Sequence, residues 1–324
     1  MPAALITGGH GGLGFVAATR LAAVSKSELV LAGRDLDRVR SAADRLRSDH
    51  GVTVHAVRLD LASLDSVRAA AAEVHALVDD GVVDGLSALL CNAGVRVQGA
   101  PSYTVDGYEE TFQVNHLGHF LLTNLLLDSI REHGRIVFTA SGTHDPGRVD
   151  GRSVGRAVIP QADALALCGK DGHPAISSGK RYTTSKLCNV LTVYELDRRL
   201  RMAGSTLEAI AFDPGMVAGT DFLRAMPAPV RWLGGTRFFT AMNRRMGVTI
   251  GSLEFSGESL GRLAAEPEFA EVSGTYFESN NGVLQAARSS TASYDIGLAT
   301  TLWADSERLA QLSDADHPRT LARP

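Results

Sequence analysis

Residues 3–14 read Ala3-Ala4-Leu5-Ile6-Thr7-Gly8-Gly9-His10-Gly11-Gly12-Leu13-Gly14. The first five make a short apolar run of the kind buried in a parallel sheet. Glycines follow at once, and then Phe15, Ala18, Leu21 and Ala22 recur at helical spacing. Strand, glycine loop and helix in that order are the context that gives a glycine motif meaning. Glycine accepts positive φ in a tight turn and lets the backbone approach a pyrophosphate. The helix start adds free N–H groups and the positive end of a dipole. A glycine turn with no ligand is the plain alternative.

Working outward, the alternation continues. Apolar runs predict further strands at 28–32, 52–58, 86–91, 135–139 and 207–212, with a short one at 275–277. Helical spacing predicts helices over 36–49, from Leu64, within 105–127, from Tyr182 to about Ala203, over 249–265 and over 295–312. This is an α/β pattern: a doubly wound parallel sheet of about seven strands flanked by helices, one domain over 1–324. Two stretches stand out. Residues 142–181 are too long for a bare connection and read as an excursion before the helix at Tyr182, with a short helix near 162–167. A disordered surface loop is the alternative. Residues 214–248 carry Trp232, Phe238 and Phe239, which suit either a lid over an apolar substrate or plain packing.

Composition narrows the function classes. The chain has 324 residues, 44% hydrophobic and 21% charged, with a formal net charge of -4. That balance argues against a nucleic-acid partner. Cys91, Cys168 and Cys188 form no Cys-x-x-Cys pair, so neither a disulfide framework nor a zinc site is expected, and a reducing cytosol fits. The first apolar run is too short for a signal segment, and nothing approaches 18 uninterrupted apolar residues, so no membrane span is expected. The expectation is a soluble cytoplasmic protein with a small-molecule substrate. His116 and His119 lack a third ligand at useful spacing, so no metal is expected and they read as surface or packing residues.

The chemistry-bearing residues fall at strand ends. Tyr182 and Lys186 stand four apart and share one helix face. A phenol beside a held ammonium is a proton-transfer device, and the cation is expected to lower the phenol pKa. Ser141 follows the fifth strand at the edge where open parallel sheets bind ligands. At the end of the second strand, Gly33 is followed by Arg34, with Arg38 one turn on. An arginine there suits a 2′-phosphate, which favours NADPH over NADH. A solvated helix start is the alternative, and Asp35 pulls the other way. Asp60 suits an adenine amino group or a cap for the helix beginning near Leu64, and the residues alone leave both open.

Together these residues resemble the short-chain dehydrogenase/reductase family over nearly the whole chain. Its signature Thr-Gly-x-x-x-Gly-x-Gly is matched by Thr7, Gly8, Gly12 and Gly14, and its Asn-Ala-Gly by Asn92, Ala93 and Gly94. Its catalytic asparagine, serine, tyrosine and lysine fall on Asn115, Ser141, Tyr182 and Lys186, and its Pro-Gly turn on Pro214 and Gly215. The segments 90–94, 115–120 and 185–189 resemble the branch of retinol-dehydrogenase-like carbonyl reductases and light-dependent protochlorophyllide reductases. Met216 stands where the light-dependent enzymes carry cysteine, which favours the carbonyl reductases. Ala140 stands where many members have a second serine, so a supporting hydrogen bond to Ser141 is in question.

The resemblance implies a mechanism. Backbone at Gly12–Gly14 would hold the pyrophosphate of NADPH, Arg34 its 2′-phosphate, and Asp60 with Leu61 the adenine. His10, Leu13, Val217 and Thr220 would be further cofactor contacts. Lys186 would hold the nicotinamide ribose, Ser141 polarise the carbonyl, Tyr182 supply the proton, and Asn115 keep a water that connects Lys186 to solvent. Family members often pair through the catalytic helix, so a homo-oligomer is an open expectation, although the excursion could cover that face. Reduction of an activated carbon–carbon double bond is the rival activity. A nucleotide-binding sensor without turnover is the rival class.

Overall fold

The computed structural model describes residues 1–217 and 249–321. Thr220 and most of the expected lid therefore lie outside the described residues. The chain opens with β1 (Ala3–Thr7), α1 (Gly12–Arg20), β2 (Glu28–Gly33), α2 (Leu36–His50), β3 (Val54–Arg58), α3 (Leu64–Asp79) and β4 (Leu86–Cys91). Next come α4 (Glu110–Phe112), a π-helical turn (Gln113–Leu117), α5 (Gly118–Leu126), β5 (Ile130–Thr139), α6 (Val149–Val154) and α7 (Ala162–Ala166). The described remainder is α8 (Ser178–Met202), β6 (Glu208–Asp213), β7 (Met216–Val217), β8 (Ile250–Gly251), α9 (Leu253–Ala265), β9 (Thr275–Asn280), β10 (Val283–Ala286) and α10 (Ile296–Leu309).

The main sheet runs β10-β9-β6-β5-β4-β1-β2-β3, with β7 and β8 paired separately. Every neighbour in the main sheet is parallel except β10 against β9. Strand order reverses between β1 and β4, so the crevice that open α/β sheets use for ligands lies where Thr7 and Cys91 end. Both strands are almost wholly buried, because helices cover both faces. One apolar core lies under α3, α5, α8 and α10, and the other under α1, α2 and α9.

The doubly wound parallel sheet of about seven strands is borne out, with an eighth, antiparallel strand at its edge. Asn281 and Gly282 both take positive φ, 53° and 79°, and make the tight two-residue turn that folds β10 back on β9. The Asn-Gly dipeptide was the readable signal. The catalytic helix is a correction: Ser177 caps it by accepting the Lys180 N–H at 3.4 Å. The helix therefore starts at Ser178, and Tyr182 sits in its second turn.

The excursion is ordered, with α6 and α7 within it. A β-carbon on Gly179 would stand 1.9 Å from the Val154 carbonyl oxygen, so glycine is what lets the excursion lie directly on α8. The outer face of α8 is covered by the chain's own α10. Trp303 packs edge-on against Phe120 at 4.8 Å, and the Arg199 guanidinium lies over Trp303 at 4.5 Å. No described helix is long and apolar enough to cross a membrane.

Candidate active site

Thr7 anchors the crevice. Its hydroxyl oxygen accepts the backbone N–H groups of Asn92 at 2.9 Å and Ala93 at 3.0 Å, while Asn92 Nδ2 donates to the Thr7 carbonyl at 3.0 Å. His119 Nε2 lies 2.9 Å from the same hydroxyl, and its Nδ1 lies 3.2 Å from the Asn115 carbonyl oxygen. A carbonyl only accepts, so Nδ1 carries the proton and Nε2 accepts from Thr7. Burial holds this histidine down at about 4, hence neutral. The surface reading of His116 and His119 is corrected, since both are fully buried. His119 is a packing residue that joins the cofactor strand to the Asn115 turn. Among the described residues no group of three or more His, Cys, Asp or Glu could hold a metal ion.

The glycine loop has the shape of a phosphate cradle. Gly8 and Gly12 take φ of 67° and 52°, conformations that L side chains rarely adopt. A β-carbon on Gly14 would stand 2.6 Å from the Gly8 carbonyl oxygen, whereas positions 11 and 12 face open space. That open side at the start of α1 fits a pyrophosphate. Leu13 is half-buried in the first turn. The His10 ring lies against Gly33, with Nδ1 2.7 Å from where a β-carbon would be. That nitrogen is buried with no hydrogen-bond partner among the described residues, so the dinucleotide side of the crevice has a polar atom to satisfy. Arg34 and Arg38 are exposed beside it.

Asp35 caps α2 by accepting the Arg38 N–H at 3.2 Å, which gives its carboxylate a structural use. The capping reading of Asp60 is overturned, because Ser63 caps α3. Asp60 instead accepts the Ala62 N–H at 3.0 Å. The Leu61 side chain is buried in the core, and a β-carbon on Gly118 would stand 2.9 Å from the Leu61 carbonyl oxygen.

The π-helical turn at 113–117 sets Asn115. Its side chain takes the Val95 N–H at 2.7 Å and donates to the Val95 carbonyl at 2.9 Å and to Ser185 Oγ at 3.0 Å. Asn115 thus pins the loop that follows Gly94 to the catalytic helix. A β-carbon on Gly94 would stand 3.0 Å from Asn115 Oδ1 and 3.6 Å from Lys186 Nζ.

Ser141, Tyr182 and Lys186 meet at the C-terminal edge of β5. The Ser141 side chain acts on the Tyr182 phenol and pulls its pKa down. Thr143 donates to Ser141 Oγ from its N–H at 3.3 Å and from its hydroxyl at 3.0 Å. With its acceptor positions occupied, the Ser141 hydroxyl has its own proton to give to the tyrosine oxygen. Thr143 therefore supplies the support put in question by Ala140. Sequence reading missed it, because a threonine two residues past Ser141, four past the end of β5, carries no motif signal. Lys186 Nζ donates to the Thr139 carbonyl at 2.8 Å and lies 5.9 Å from the Tyr182 ring centre. The Arg96 guanidinium lies 6.0 Å from the same ring.

Burial dominates the electrostatics. It pushes Tyr182 up to about 12, with Ser141 and Arg96 pulling down and Asp213 pushing up. It lowers Lys186 to about 8, against the opposing charge of Asp213. The expectation that Lys186 draws the phenol below its ordinary range is therefore corrected: desolvation is the largest influence, and the cation that pulls the phenol down is Arg96. Pro214 and Gly215 turn the chain out of β6, with Gly215 at φ 71°. Val217 is buried in β7.

A glycine cradle at the strand-order switch, with serine, tyrosine and lysine on the same edge, defines a class of nucleotide-dependent oxidoreductases. The model of the family described as short chain dehydrogenase matches residues 2–150. The chain is 35% identical over 312 residues to Retinol dehydrogenase 13 of Homo sapiens, covering 95% of this chain and 84% of that protein. It is 33% identical over 326 residues to Protochlorophyllide reductase A, chloroplastic, of Oryza sativa subsp. japonica, covering 95% and 80%. Among solved structures it resembles a blue fluorescent protein from a metagenomic library in complex with NADPH. There the identity is 22% and the TM-score 0.62, over 87% of this chain and 97% of the other, a likeness of fold. The chain belongs to the short-chain dehydrogenase family and is an oxidoreductase of that family.

Proposed function

We propose that this protein is an NADPH-dependent reductase of the carbonyl group of a bulky apolar small molecule, and in reverse a dehydrogenase of the secondary alcohol. One observation carries the reading: the Ser141 hydroxyl, held by both Thr143 donors, acts on the buried Tyr182 phenol at the same sheet edge. That is the donor pair a carbonyl oxygen needs as it becomes an alkoxide.

The bound cofactor supplies a hydride. Gly8, Gly12 and Gly14 would hold its pyrophosphate, Arg34 its 2′-phosphate, and Asn92–Gly94 would line the floor. Arg34 is exposed at the crevice rim, and His10 occupies the room a larger residue at 33 would need. Ser141 orients and polarises the carbonyl. Tyr182 donates its proton to the forming alkoxide, and its raised pKa suits the donor role. Lys186, near 8 and 5.9 Å from the Tyr182 ring centre, is the cation on the same helix face whose proton would restore the tyrosine through an intervening group. Asn115 acts by holding the 93–97 loop against Ser185. Because α10 covers the outer face of α8, self-association by pairing of catalytic helices is disfavoured.

The protochlorophyllide reductase relative motivates a second reading, reduction of an activated carbon–carbon double bond. Incubation with deuterated NADPH and a panel of bulky ketones, aldehydes and conjugated enones separates the two. Deuterium on the carbinol carbon is expected. Deuterium on a former alkene carbon would move the assignment to the second reading. NADPH binding with no consumption across the panel would leave a nucleotide-binding protein without turnover.

A further inference from the structure

Behind the Ser141–Tyr182 edge lies a buried acid that the proposed reaction does not use. Asp213 ends β6 and is 1% exposed. Its neighbour Phe212 pairs in register with Thr139 at the end of β5. Asp213 Oδ1 accepts the Gly215 N–H at 2.9 Å, and Oδ2 accepts the Tyr276 hydroxyl at 3.1 Å. The Gly142 N–H, on the residue after Ser141, also acts on the carboxyl and pulls its pKa down. A β-carbon on Gly142 would stand 2.8 Å from Asp213 Oδ2 and 3.2 Å from Asp150 Oδ2, so two carboxylates close on the serine turn.

The turn is gripped from the other side as well. His144 Nδ1 lies 2.7 Å from the Ser141 carbonyl oxygen, and its Nε2 accepts the Ser290 N–H at 3.0 Å. This places the ring proton on Nδ1. The Tyr276 ring lies 5.1 Å from the His144 ring. Tyr276 therefore joins the two grips, hydroxyl on Asp213 and ring on His144.

The charge is the informative part, because an ionised carboxylate in a buried site is costly, and an amide, with one accepting oxygen, could take only part of these hydrogen bonds. The groups facing Asp213 are Asp150 and Arg148 from the α6 end, Tyr276 and Glu278 on β9, and Tyr182 and Lys186 on α8. Arg148 is paired with Glu278 at 2.9 Å, and Asp150 is held by the Thr249 N–H and hydroxyl at 3.3 and 3.1 Å. Arg148 still draws the Asp213 carboxyl down, and on α8 Lys186 is the cation that Asp213 acts on. The negative charge raises the pKa of both Lys186 and Tyr182. It favours the state in which the amine is charged and the phenol keeps its proton, which is the state that donates to an alkoxide.

We propose that Asp213 is a positioning residue: it holds the Ser141–Gly142 turn and biases the Tyr182–Lys186 pair toward its fully protonated, reducing form. This rests on the reading of Ser141, Tyr182 and Lys186 as the reacting residues.

The test titrates Tyr182 by its tyrosinate ultraviolet absorbance after rapid pH jumps, with the chain saturated with NADP+. Wild type, Asp213→Asn and Asp213→Ser are each differenced against their own Tyr182→Phe counterpart, which isolates the one phenol. The Tyr182 midpoint is expected to fall by about one pH unit or more in both variants. If only one variant folds, its midpoint decides. A midpoint unmoved from wild type, or no earlier tyrosinate in either variant, would overturn the proposal. A purely structural role for Asp213 predicts that unmoved midpoint. The titration reads the phenol whether or not a carbonyl is reduced, so it fails separately from the proposed function, which is tested by turnover.

Discussion

Arg181 Nε lies 2.9 Å from Glu109 Oε1, with side chains 2% and 1% exposed. The contact is an ion pair rather than an aligned hydrogen bond, because the Arg181 Nε–H does not point along it. The other guanidinium nitrogens donate to the carbonyls of Ile176, Val97, Gly99 and Ala100. Glu109 Oε2 accepts the Phe112 N–H at 2.8 Å, at the start of the helix that leads to Asn115. The residue beside Tyr182 thus ties together the excursion, the 97–100 loop and the Asn115 helix.

Breaking this pair on one side strands a buried charge. Arg181→Met should destabilise the fold by about 3–5 kcal/mol, read by urea unfolding. A loss under about 1 kcal/mol would mean the carbonyl contacts, and not the charge pair, hold the junction.

Thr143 gives a sharper functional test. Thr143→Val removes the hydroxyl donor to Ser141 Oγ and keeps the N–H, so kcat should fall about tenfold with little change in KM. Thr143→Ser should restore it. A Val variant with full kcat would show that the Thr143 hydroxyl does not orient Ser141.

Cofactor choice is tested at Arg34. Arg34→Ala should raise the KM for NADPH by about tenfold or more and leave that for NADH nearly unchanged. Equal effects on both would mean that another group, with Arg38 the neighbouring choice, grips the 2′-phosphate.

Asp213 makes a pH prediction whose sign is fixed by its surroundings. Burial lifts its carboxyl from 3.8 to about 6, so the fold binds that proton more tightly than the unfolded chain does. The resulting stability is fully present below 3.8 and is lost as pH rises through about 6. The stability of Asp213→Asn relative to wild type should therefore shift in the variant's favour by roughly 2–3 kcal/mol between pH 5 and pH 8, on top of a pH-independent cost of the acceptor that the amide lacks. A Tm difference that does not vary with pH would contradict the buried-charge account. A gain in stability alongside a shifted Tyr182 titration would be the pattern of a residue kept for function at a cost to the fold.

Much of the frame was legible because it rests on local chemistry. Thr7 to Gly14, Asn92 to Gly94 and the Tyr182–Lys186 spacing each declare themselves within a few residues. The short helix expected near 162–167 lies at Ala162–Ala166. What stayed hidden depends on which strands are neighbours. Thr143 matters because its hydroxyl turns back on Ser141, and Asp213 because β6 lies beside β5. His119 matters because α5 crosses the end of β1. None of these has a periodic or motif signal. The helix cover over α8 was unreadable for the same reason, since it joins Trp303 to Phe120 and Arg199 across the whole second half of the chain. The direction of the Tyr182 shift was misjudged because pair spacing is visible in sequence and burial is not.

The central claim is that Tyr182 supplies the proton. The most direct measurement compares Tyr182→Phe with wild type for turnover on a carbonyl that the wild type reduces, with NADPH affinity measured in parallel by fluorescence. Turnover should fall by about a thousandfold while the dissociation constant for NADPH changes less than about threefold. A variant that keeps most of its activity would contradict the account.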